Sequence, residues 1–182
     1  SRRCTILVMH PIEIEKVLES FRIIVDTREQ NNARGKKRIE GLEVPTERAT
    51  LSYGDYTWNI DLEGAPYHDI SNTISPSCVI ERKMSLNELS ANLTHGRKRF
   101  QREFERARNN GATVYLLVED ATWESIIFHR YNTKFNSNAF ISSLVAWITR
   151  YNLIPIFCKR STSSKIIREI LYRDIKERLV DM

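Results

Sequence analysis

The stretch Cys78–Lys83, with the sequence CVIERK, decides the fold because three apolar residues lead directly into three charged ones. An apolar run of this kind is typical of a buried strand, and no turn residue separates it from its charged end. Side chains alternate between the two faces of a strand, so we expect Glu81 and Lys83 to point the same way and Arg82 to point away. A partly desolvated carboxylate beside a lysine needs further partners, and a bound cation is one of the few that fits.

Two earlier segments have the same character. Arg22–Glu29 (RIIVDTRE) is an apolar run that ends in charge, and Leu51–Trp58 (LSYGDYTW) carries a Gly-Asp step among aromatic residues that favour strands. In this order the three segments resemble the nuclease domain of the XPF family, within the PD-(D/E)XK nuclease superfamily, whose members show V-D-x-R-E, G-D-Y and E-R-K. The resemblance continues through the segments Asn92–Gln101 and Val114–Glu119.

The alternation of predicted strands and helices indicates an α/β fold. The resemblance implies more: a restriction-endonuclease-like fold, in which helices flank a mixed central sheet within a single domain. We expect residues 22–182 to form the nuclease domain and residues 1–21 to form an N-terminal helical extension. The polar segment Gln30–Glu40 is predicted to be a loop, and Leu51–Ile60 a strand that carries Asp55.

Composition limits the class of protein. A chain of 182 residues with 41% hydrophobic and 28% charged residues suits one globular domain, and its net charge of +5 is compatible with a polyanionic partner. No run approaches the length of a membrane span, no signal sequence opens the chain, and the three cysteines fit neither a disulfide framework nor a zinc site. We therefore expect an intracellular protein without a membrane or a small-molecule cofactor. The resemblance implies that it acts on DNA.

The resemblance implies a set of catalytic residues, which are Asp26, Arg28, Glu29, Asp55, Glu81 and Lys83. Mg²⁺ prefers carboxylate and carbonyl oxygens, so Asp55, Glu81 and the backbone carbonyl of Arg82 form a suitable partial shell, with Mn²⁺ as a substitute. Asp26 is expected to bind a second ion or an outer-shell water. Lys83 would orient the attacking water or stabilise the charge of the transition state.

Two observations compete with this interpretation. Taken alone, Glu81 and Lys83 are better explained as an ordinary surface ion pair, which contributes little to stability, and it is the presence of Asp26 and Asp55 in the expected order that favours a site. The family pattern also has Asp at position 87, where this chain has Asn87, although the adjacent Glu88 is a candidate substitute.

DNA contacts are predicted from two basic clusters. The first cluster, in the predicted loop, consists of Arg34, Lys36, Lys37 and Arg38, of which the first three are the predicted DNA contacts. The second, on the predicted helix that follows Gly96, consists of Arg97, Lys98, Arg99, Gln101 and Arg102. Such cations dominate affinity for nucleic acid, but a merely solvated charged surface explains both clusters as well.

Two apolar stripes late in the chain predict a homodimer. Their residues are Phe140, Leu144, Val145 and Ile148 on one helix, and Ile166, Ile170 and Leu171 on another. A helix at the edge of a domain needs only about a third of its circumference buried, and monomers rarely expose large apolar patches. The alternative is that both helices are covered within the core of one chain.

Two functions from different classes follow. The first is a metal-dependent DNA endonuclease, with branched or flap-like DNA as the substrate class that the resemblance implies. The second is a catalytically silent DNA-binding or dimerisation subunit, since the family contains inactive partners. The presence of Asp26, Asp55, Glu81 and Lys83 favours the enzyme.

Overall fold

A computed structural model of the chain describes residues 9–29 and 31–181. The strands are β1 (Arg22–Asp26), β2 (Thr46–Ala49), β3 (Tyr56–Asn59), β4 (Asp61–Leu62), β5 (Ala65–Pro66), β6 (Cys78–Lys83), β7 (Thr113–Glu119) and β8 (Leu153–Cys158). The helices are α1 (Pro11–Glu19), α2 (Ala33–Glu40), α3 (Leu86–Leu93), α4 (Arg97–Asn109), α5 (Trp123–Ile127), α6 (Ser137–Tyr151) and α7 (Arg160–Val180).

The central sheet is mixed, as the sequence predicted, and has the strand order β2-β1-β3-β6-β7-β8. β1 pairs with β2 in parallel, and β6, β7 and β8 are parallel neighbours. β3 is antiparallel to both β1 and β6, so it runs against the other strands of this sheet. The carboxyl ends of the parallel strands therefore meet at one edge, and β3 begins at that same edge.

Helices cover both faces of the sheet, with one hydrophobic core on each face. The alternation along β6 separates the two cores: Val79 packs with residues of α3, α4 and α6, whereas Ile80 packs with residues of α1 and α7. Ile14 and Leu18 attach α1 to the second core. Because residues 1–8 lie outside the described ranges, the boundary between an extension at 1–21 and a domain at 22–182 stays a prediction.

The prediction of a loop over Gln30–Glu40 was wrong for most of its length, since Ala33–Glu40 is helix α2. Asn32 caps this helix by accepting the N–H of Gly35 at 2.9 Å. Tertiary contacts then hold it in place, because the hydroxyl of Ser164 on α7 donates to the carbonyl of Arg38 at 2.8 Å. A segment with so few apolar residues gives almost no periodic signal of a helix.

The predicted strand over Leu51–Ile60 is also shorter than expected. Only its second half is regular, because Leu51 forms an isolated bridge to Ile74 and Gly54 adopts a positive φ of 75°. Asp55 thus lies immediately before β3 rather than within it.

The apolar stripes that motivated the homodimer are largely buried within one chain. Phe140, Leu144 and Leu171 are core residues, and only Val145 is strongly exposed, at 46%. Ile148 packs against the same core as Phe140. The expected apolar patch is therefore much smaller than the sequence indicated, and the homodimer itself stays a prediction. Within the described ranges, no helix combines the length and apolar character that crossing a membrane requires.

Candidate active site

Glu81 and Lys83 form a buried ion pair at the end of β6. Their side chains point to the same side, and Lys83 Nζ lies 2.7 Å from Glu81 Oε1. The ammonium also lies 4.8 Å from the centroid of the Phe100 ring on α4. The other oxygen, Glu81 Oε2, is buried and has no hydrogen-bond partner among the described residues. A buried carboxylate oxygen without a donor is costly, so this atom marks a place for a further ligand.

Asp55 is aligned beside this pair by backbone hydrogen bonds. Its N–H donates to the carbonyl of Ile80 at 2.8 Å, and its carbonyl accepts the N–H of Asp26 at 2.8 Å. Its carboxylate oxygen Oδ2 accepts the N–H of Arg82 at 2.7 Å. No hydrogen bond from a described residue reaches Oδ1, so Asp55 and Glu81 each retain one unengaged oxygen.

Gly54 makes this arrangement possible. It adopts a left-handed backbone, and a Cβ at this position would clash with the side chain of Val79. Its N–H donates to Glu103 Oε1 of α4 at 2.9 Å. Glu103 therefore fixes the turn that presents Asp55, and its own charge lies close to the candidate site.

The charges of the site perturb one another. Burial raises the pKa of Glu81 to about 7, with Lys83 opposing the shift and Glu103 adding to it. Burial and the charge of Glu81 raise the pKa of Asp55 well above its ordinary value. Burial disfavours the charged form of Lys83, but Glu81 and Asp55 more than offset it and raise its pKa. These shifts favour the charged form of Lys83 and the protonated form of the two carboxyl groups when no further cation is bound.

The donor set fits a hard divalent cation. Asp55 and Glu81 both offer a carboxylate oxygen, which Mg²⁺ and Mn²⁺ accept as a ligand. Among the described residues, no group of three or more His, Cys, Asp or Glu side chains is arranged to hold a metal ion. A cation here would therefore take its remaining ligands from carbonyl, water or phosphate oxygens, as Mg²⁺ commonly does. The predicted role of the Arg82 carbonyl stays a prediction.

Asp26 is placed differently from the expectation. It is fully buried, and its Oδ1 accepts both the N–H and the Nε–H of Arg28, at 2.9 and 2.7 Å. Its Oδ2 accepts the N–H of Leu51 at 2.8 Å. Both oxygens are therefore already engaged, and the observed role of Asp26 is to orient Arg28. Binding of a second ion by Asp26 stays a prediction.

Arg82 points to the opposite side of β6 from Glu81, as its position in the strand predicted. Its guanidinium makes two hydrogen bonds to Glu119, at 2.8 and 2.9 Å, and lies 3.5 Å from Glu29 Oε1. Glu29 also accepts a hydrogen bond from Arg38 of α2 at 2.7 Å. The predicted residue Glu29 thus orients two arginines beside the site.

The sequence analysis did not assign Glu103 and Glu119 to the site, and it named Arg38 only as a member of the first basic cluster. The sequence analysis assigned Glu119 only to the end of a core strand. Glu81 lies near the end of another core strand, and this similar position was the signal that could have placed Glu119 in the site. Arg38 and Glu103 contact the site through tertiary packing of α2 and α4, which a single sequence does not reveal.

Asn87 and Glu88 differ in orientation. Asn87 Oδ1 accepts the N–H of Asn132 at 2.8 Å, so its side chain holds a neighbouring loop. Glu88 lines the same cleft as Asp55 and Glu81, and it accepts the N–H of Met84 at 2.8 Å. The acidic side chain closest in sequence to the family's Asp position is therefore the one that reaches the cleft.

One cleft of about 1150 Å³ is lined by most of the residues described above, namely Arg28, Glu29, Asp55, Glu81, Lys83 and Glu88. Of the predicted DNA-binding residues, Arg34, Lys37 and Arg99 line it. The other five predicted residues do not line the cleft; these are Lys36, Arg97, Lys98, Gln101 and Arg102. Arg97 stacks over the Trp147 ring at 5.1 Å, and Gln101 donates to Glu105 at 3.1 Å. Contact of these five residues with DNA stays a prediction.

Comparisons with known proteins identify chains of similar fold. Two solved structures match with a TM-score of 0.58: XPF from Aeropyrum pernix, at 20% sequence identity over 84% of this chain, and the same protein in complex with DNA, at 21% identity over 86%. The chain spans 61% and 66% of the length of those two chains. No curated protein matches the chain significantly.

These structural matches show the fold, and they confirm the predicted mixed sheet flanked by helices as one that resembles the XPF nuclease domain. A family model described as the ERCC4 domain matches residues 25–168. This range includes all three motifs and most of the chain. The protein therefore belongs to the ERCC4-domain family.

Proposed function

We propose that the protein is a metal-dependent DNA endonuclease that hydrolyses phosphodiester bonds in branched or flap-like DNA during repair, recombination or replication. One observation carries this proposal. Glu81 Oε2 is buried without a partner beside Asp55, while the other oxygen of Glu81 holds the ammonium of Lys83. A cation that binds these carboxylates would remove a desolvation cost that the described residues leave uncompensated.

Family and fold support the choice of substrate. The chain belongs to the ERCC4-domain family, and a protein of similar fold, XPF from Aeropyrum pernix, has been solved in complex with DNA. The cleft is also suited to a polyanion, because Arg28, Arg34 and Arg99 line it together with the carboxylates. Arginine pairs well with phosphate, since its planar guanidinium donates two parallel hydrogen bonds.

Each residue has a distinct part in this chemistry. Asp55 and Glu81 would hold Mg²⁺ or Mn²⁺, which activates a water and neutralises the charge that develops on the phosphate. Lys83, fixed between Glu81 and Phe100, places positive charge where the negative charge of the transition state increases. Arg28, whose side chain is 53% exposed, is oriented by Asp26 to contact a phosphate oxygen.

A second function is favoured by one departure from the family pattern. Asn87 takes the place of the family's Asp and faces Asn132 rather than the cleft. If that carboxylate is required, the chain is a catalytically silent DNA-binding or dimerisation subunit. A homodimer belongs to either proposal, although Val145 is the strongly exposed residue among the stripe residues that predicted it. Light scattering tests it, because a mass equal to one chain at micromolar protein would reject the dimer.

A cleavage panel separates the two functions. Duplex, single-stranded, flap and four-way DNA are incubated with the protein and Mg²⁺, Mn²⁺ or EDTA, and binding is measured in parallel. The endonuclease predicts cleavage of a branched substrate with Mg²⁺ or Mn²⁺ and none in EDTA. Binding without cleavage under every condition would instead establish the silent subunit.

A further inference from the structure

A wall of unpaired cations lines the part of the cleft formed by α2 and the start of α7. Its members are Arg34 and Lys37 on α2, and Lys159 and Lys165 at the start of α7. All four are exposed, and none forms an ion pair with another described residue. We refer to these four residues as the α2–α7 wall.

The acidic residues that line this part of the cleft are already paired with arginines. Glu43 lies 2.8 Å from Arg168, and Asp120 lies 3.6 Å from Arg160. The four free cations therefore give this part of the cleft a net positive charge. A concave surface with unpaired positive charge attracts a polyanion such as a nucleic-acid backbone.

Direct hydrogen bonds fasten α2 to α7. Ser164 Oγ donates to the carbonyl of Arg38 at 2.8 Å, and Arg168 donates to the carbonyl of Leu42, just after α2, at 3.1 Å. The four cations are thus carried by two helices with a fixed relative position. Contacts from such a surface need less ordering on binding than contacts from a mobile loop.

The sheet fixes the distance from this wall to the carboxylates. β6, β7 and β8 are consecutive parallel strands, with Lys83 opposite Val118 and Glu119 opposite Cys158. Lys159 follows β8 directly, so it lies two strand spacings from the strand that carries Glu81. Glu81 lies opposite Leu116, which lies opposite Pro155, so Lys159 is also four residues farther along the strand direction. Two spacings of about 4.8 Å and four residues at about 3.3 Å each give about 16 Å from Glu81 to Lys159, which corresponds to roughly five nucleotides of one strand at about 3.4 Å of helix axis each.

We propose that the DNA strand held at Asp55 and Glu81 continues along the α2–α7 wall, where Lys159 and Lys165 contact its backbone phosphates about five nucleotides away. This inference rests on the proposed function, and it assigns the path that the bound strand follows over the protein surface. Contacts of this kind fix the register of the strand without reading its sequence. Lys159 and Lys165 carry the new assignment, because they follow the last strand and lie outside the basic clusters that the sequence indicated.

The test is the salt dependence of DNA binding in EDTA, which is independent of cleavage. The variant Lys159→Gln/Lys165→Gln is compared with wild type and with the control Lys16→Gln/Lys176→Gln. The control changes net charge equally, and Lys176 lies about 16 Å along α7 from Lys165. Loss of two phosphate contacts should lower the slope of log K against log salt by about 1.4 to 1.8, whereas the control should match wild type.

A second measurement locates the contacts on the DNA. Neutral methylphosphonate linkages are placed one at a time on either side of the branch point, and binding is again measured in EDTA. Neutralisation at positions near five nucleotides on one side should weaken DNA binding by the wild type and leave binding by the Lys159→Gln/Lys165→Gln variant unaffected. Circular dichroism establishes that each variant is folded, and the two single variants replace the double variant if it is not.

The outcomes are distinguishable from failure of the proposed function. If wild type does not bind DNA, the proposed function is wrong. If wild type binds and the variant keeps the same salt slope, or changes no more than the control, only the α2–α7 wall is rejected.

Discussion

Lys83 Nζ lies 2.7 Å from one oxygen of Glu81, while the other oxygen of Glu81 is buried without a partner among the described residues. The lysine therefore pairs with one oxygen of the carboxylate and leaves the other without a donor, in a side chain that lines the cleft together with Asp55. This division predicts that a divalent cation binds the folded protein even when DNA is absent.

Binding of a cation should be visible as a thermal shift. Mg²⁺ or Mn²⁺ at about 100 times its Kd should stabilise the wild type by about 2.7 kcal/mol, because a ligand that binds only the native state adds free energy of unfolding. Asp55→Asn or Glu81→Gln should abolish this metal-dependent shift. DNA affinity in EDTA should be unchanged or higher in both variants, since each removes negative charge from the cleft. An undiminished metal-dependent shift in both variants would reject the site.

The pH dependence of stability should report Glu81 in the absence of metal. Its pKa is raised from an ordinary value of 4.5 to about 7, so between these pH values the native state holds a proton that the unfolded state has lost. The contribution of Glu81 to the free energy of unfolding therefore falls as pH rises through this window, by on the order of 3 kcal/mol.

Urea unfolding of wild type and Glu81→Gln from pH 4.5 to pH 8 measures this contribution by difference. Wild type should lose stability relative to the variant as pH rises to about 7. A constant difference across the range would show that Glu81 titrates normally.

Much of this site follows from local rules. The alternation of side chains along Cys78–Lys83 places Glu81 and Lys83 together and Arg82 on the opposite side, as the sequence predicted. The order of the three motifs along the chain is enough to indicate the family. Asp55 could be assigned to the site because its Gly-Asp step is local, although the turn at Gly54 made its strand shorter than predicted.

The remainder depends on contacts between distant residues. Asp26 was expected to bind metal, but its hydrogen bonds to Arg28 and Leu51 depend on a chain reversal that periodicity does not encode. Helix α2 has a polar sequence and is held by α7, more than 100 residues later in the chain. Leu144 and Leu171 looked like a dimer surface because the sequence does not say which helices cover each face of the sheet.

The two acidic positions after β6 should differ in their effect on catalysis. Asn87→Asp should leave the Mg²⁺ concentration for half-maximal cleavage unchanged within about twofold, since Asn87 contacts Asn132 and an Asp oxygen would accept the same N–H. Glu88→Gln should raise it about tenfold, because outer ligands typically contribute that much. If Asn87→Asp instead lowers this Mg²⁺ concentration strongly, the side chain at position 87 reaches the metal.

Gly54 and Gly64 provide a matched pair for backbone strain. Both have a positive φ, but a Cβ at Gly54 would clash with Val79, whereas one at Gly64 would meet open space among the described residues. The strain of a left-handed Ala is common to both substitutions, so their difference isolates the clash. Gly54→Ala should destabilise the protein by about 2 kcal/mol more than Gly64→Ala. Equal free energies of unfolding for the two variants would contradict this packing.

Single-turnover cleavage of a flap DNA by wild type and Glu81→Gln tests the central claim most directly. Both proteins are saturated with DNA in Mg²⁺, so the rate compares chemistry rather than binding. The loss of a metal ligand should lower the rate on the order of 100-fold or more, and EDTA should abolish cleavage by wild type. Cleavage by Glu81→Gln within about threefold of wild type, or wild-type cleavage that persists in EDTA, would contradict a metal site at Asp55 and Glu81.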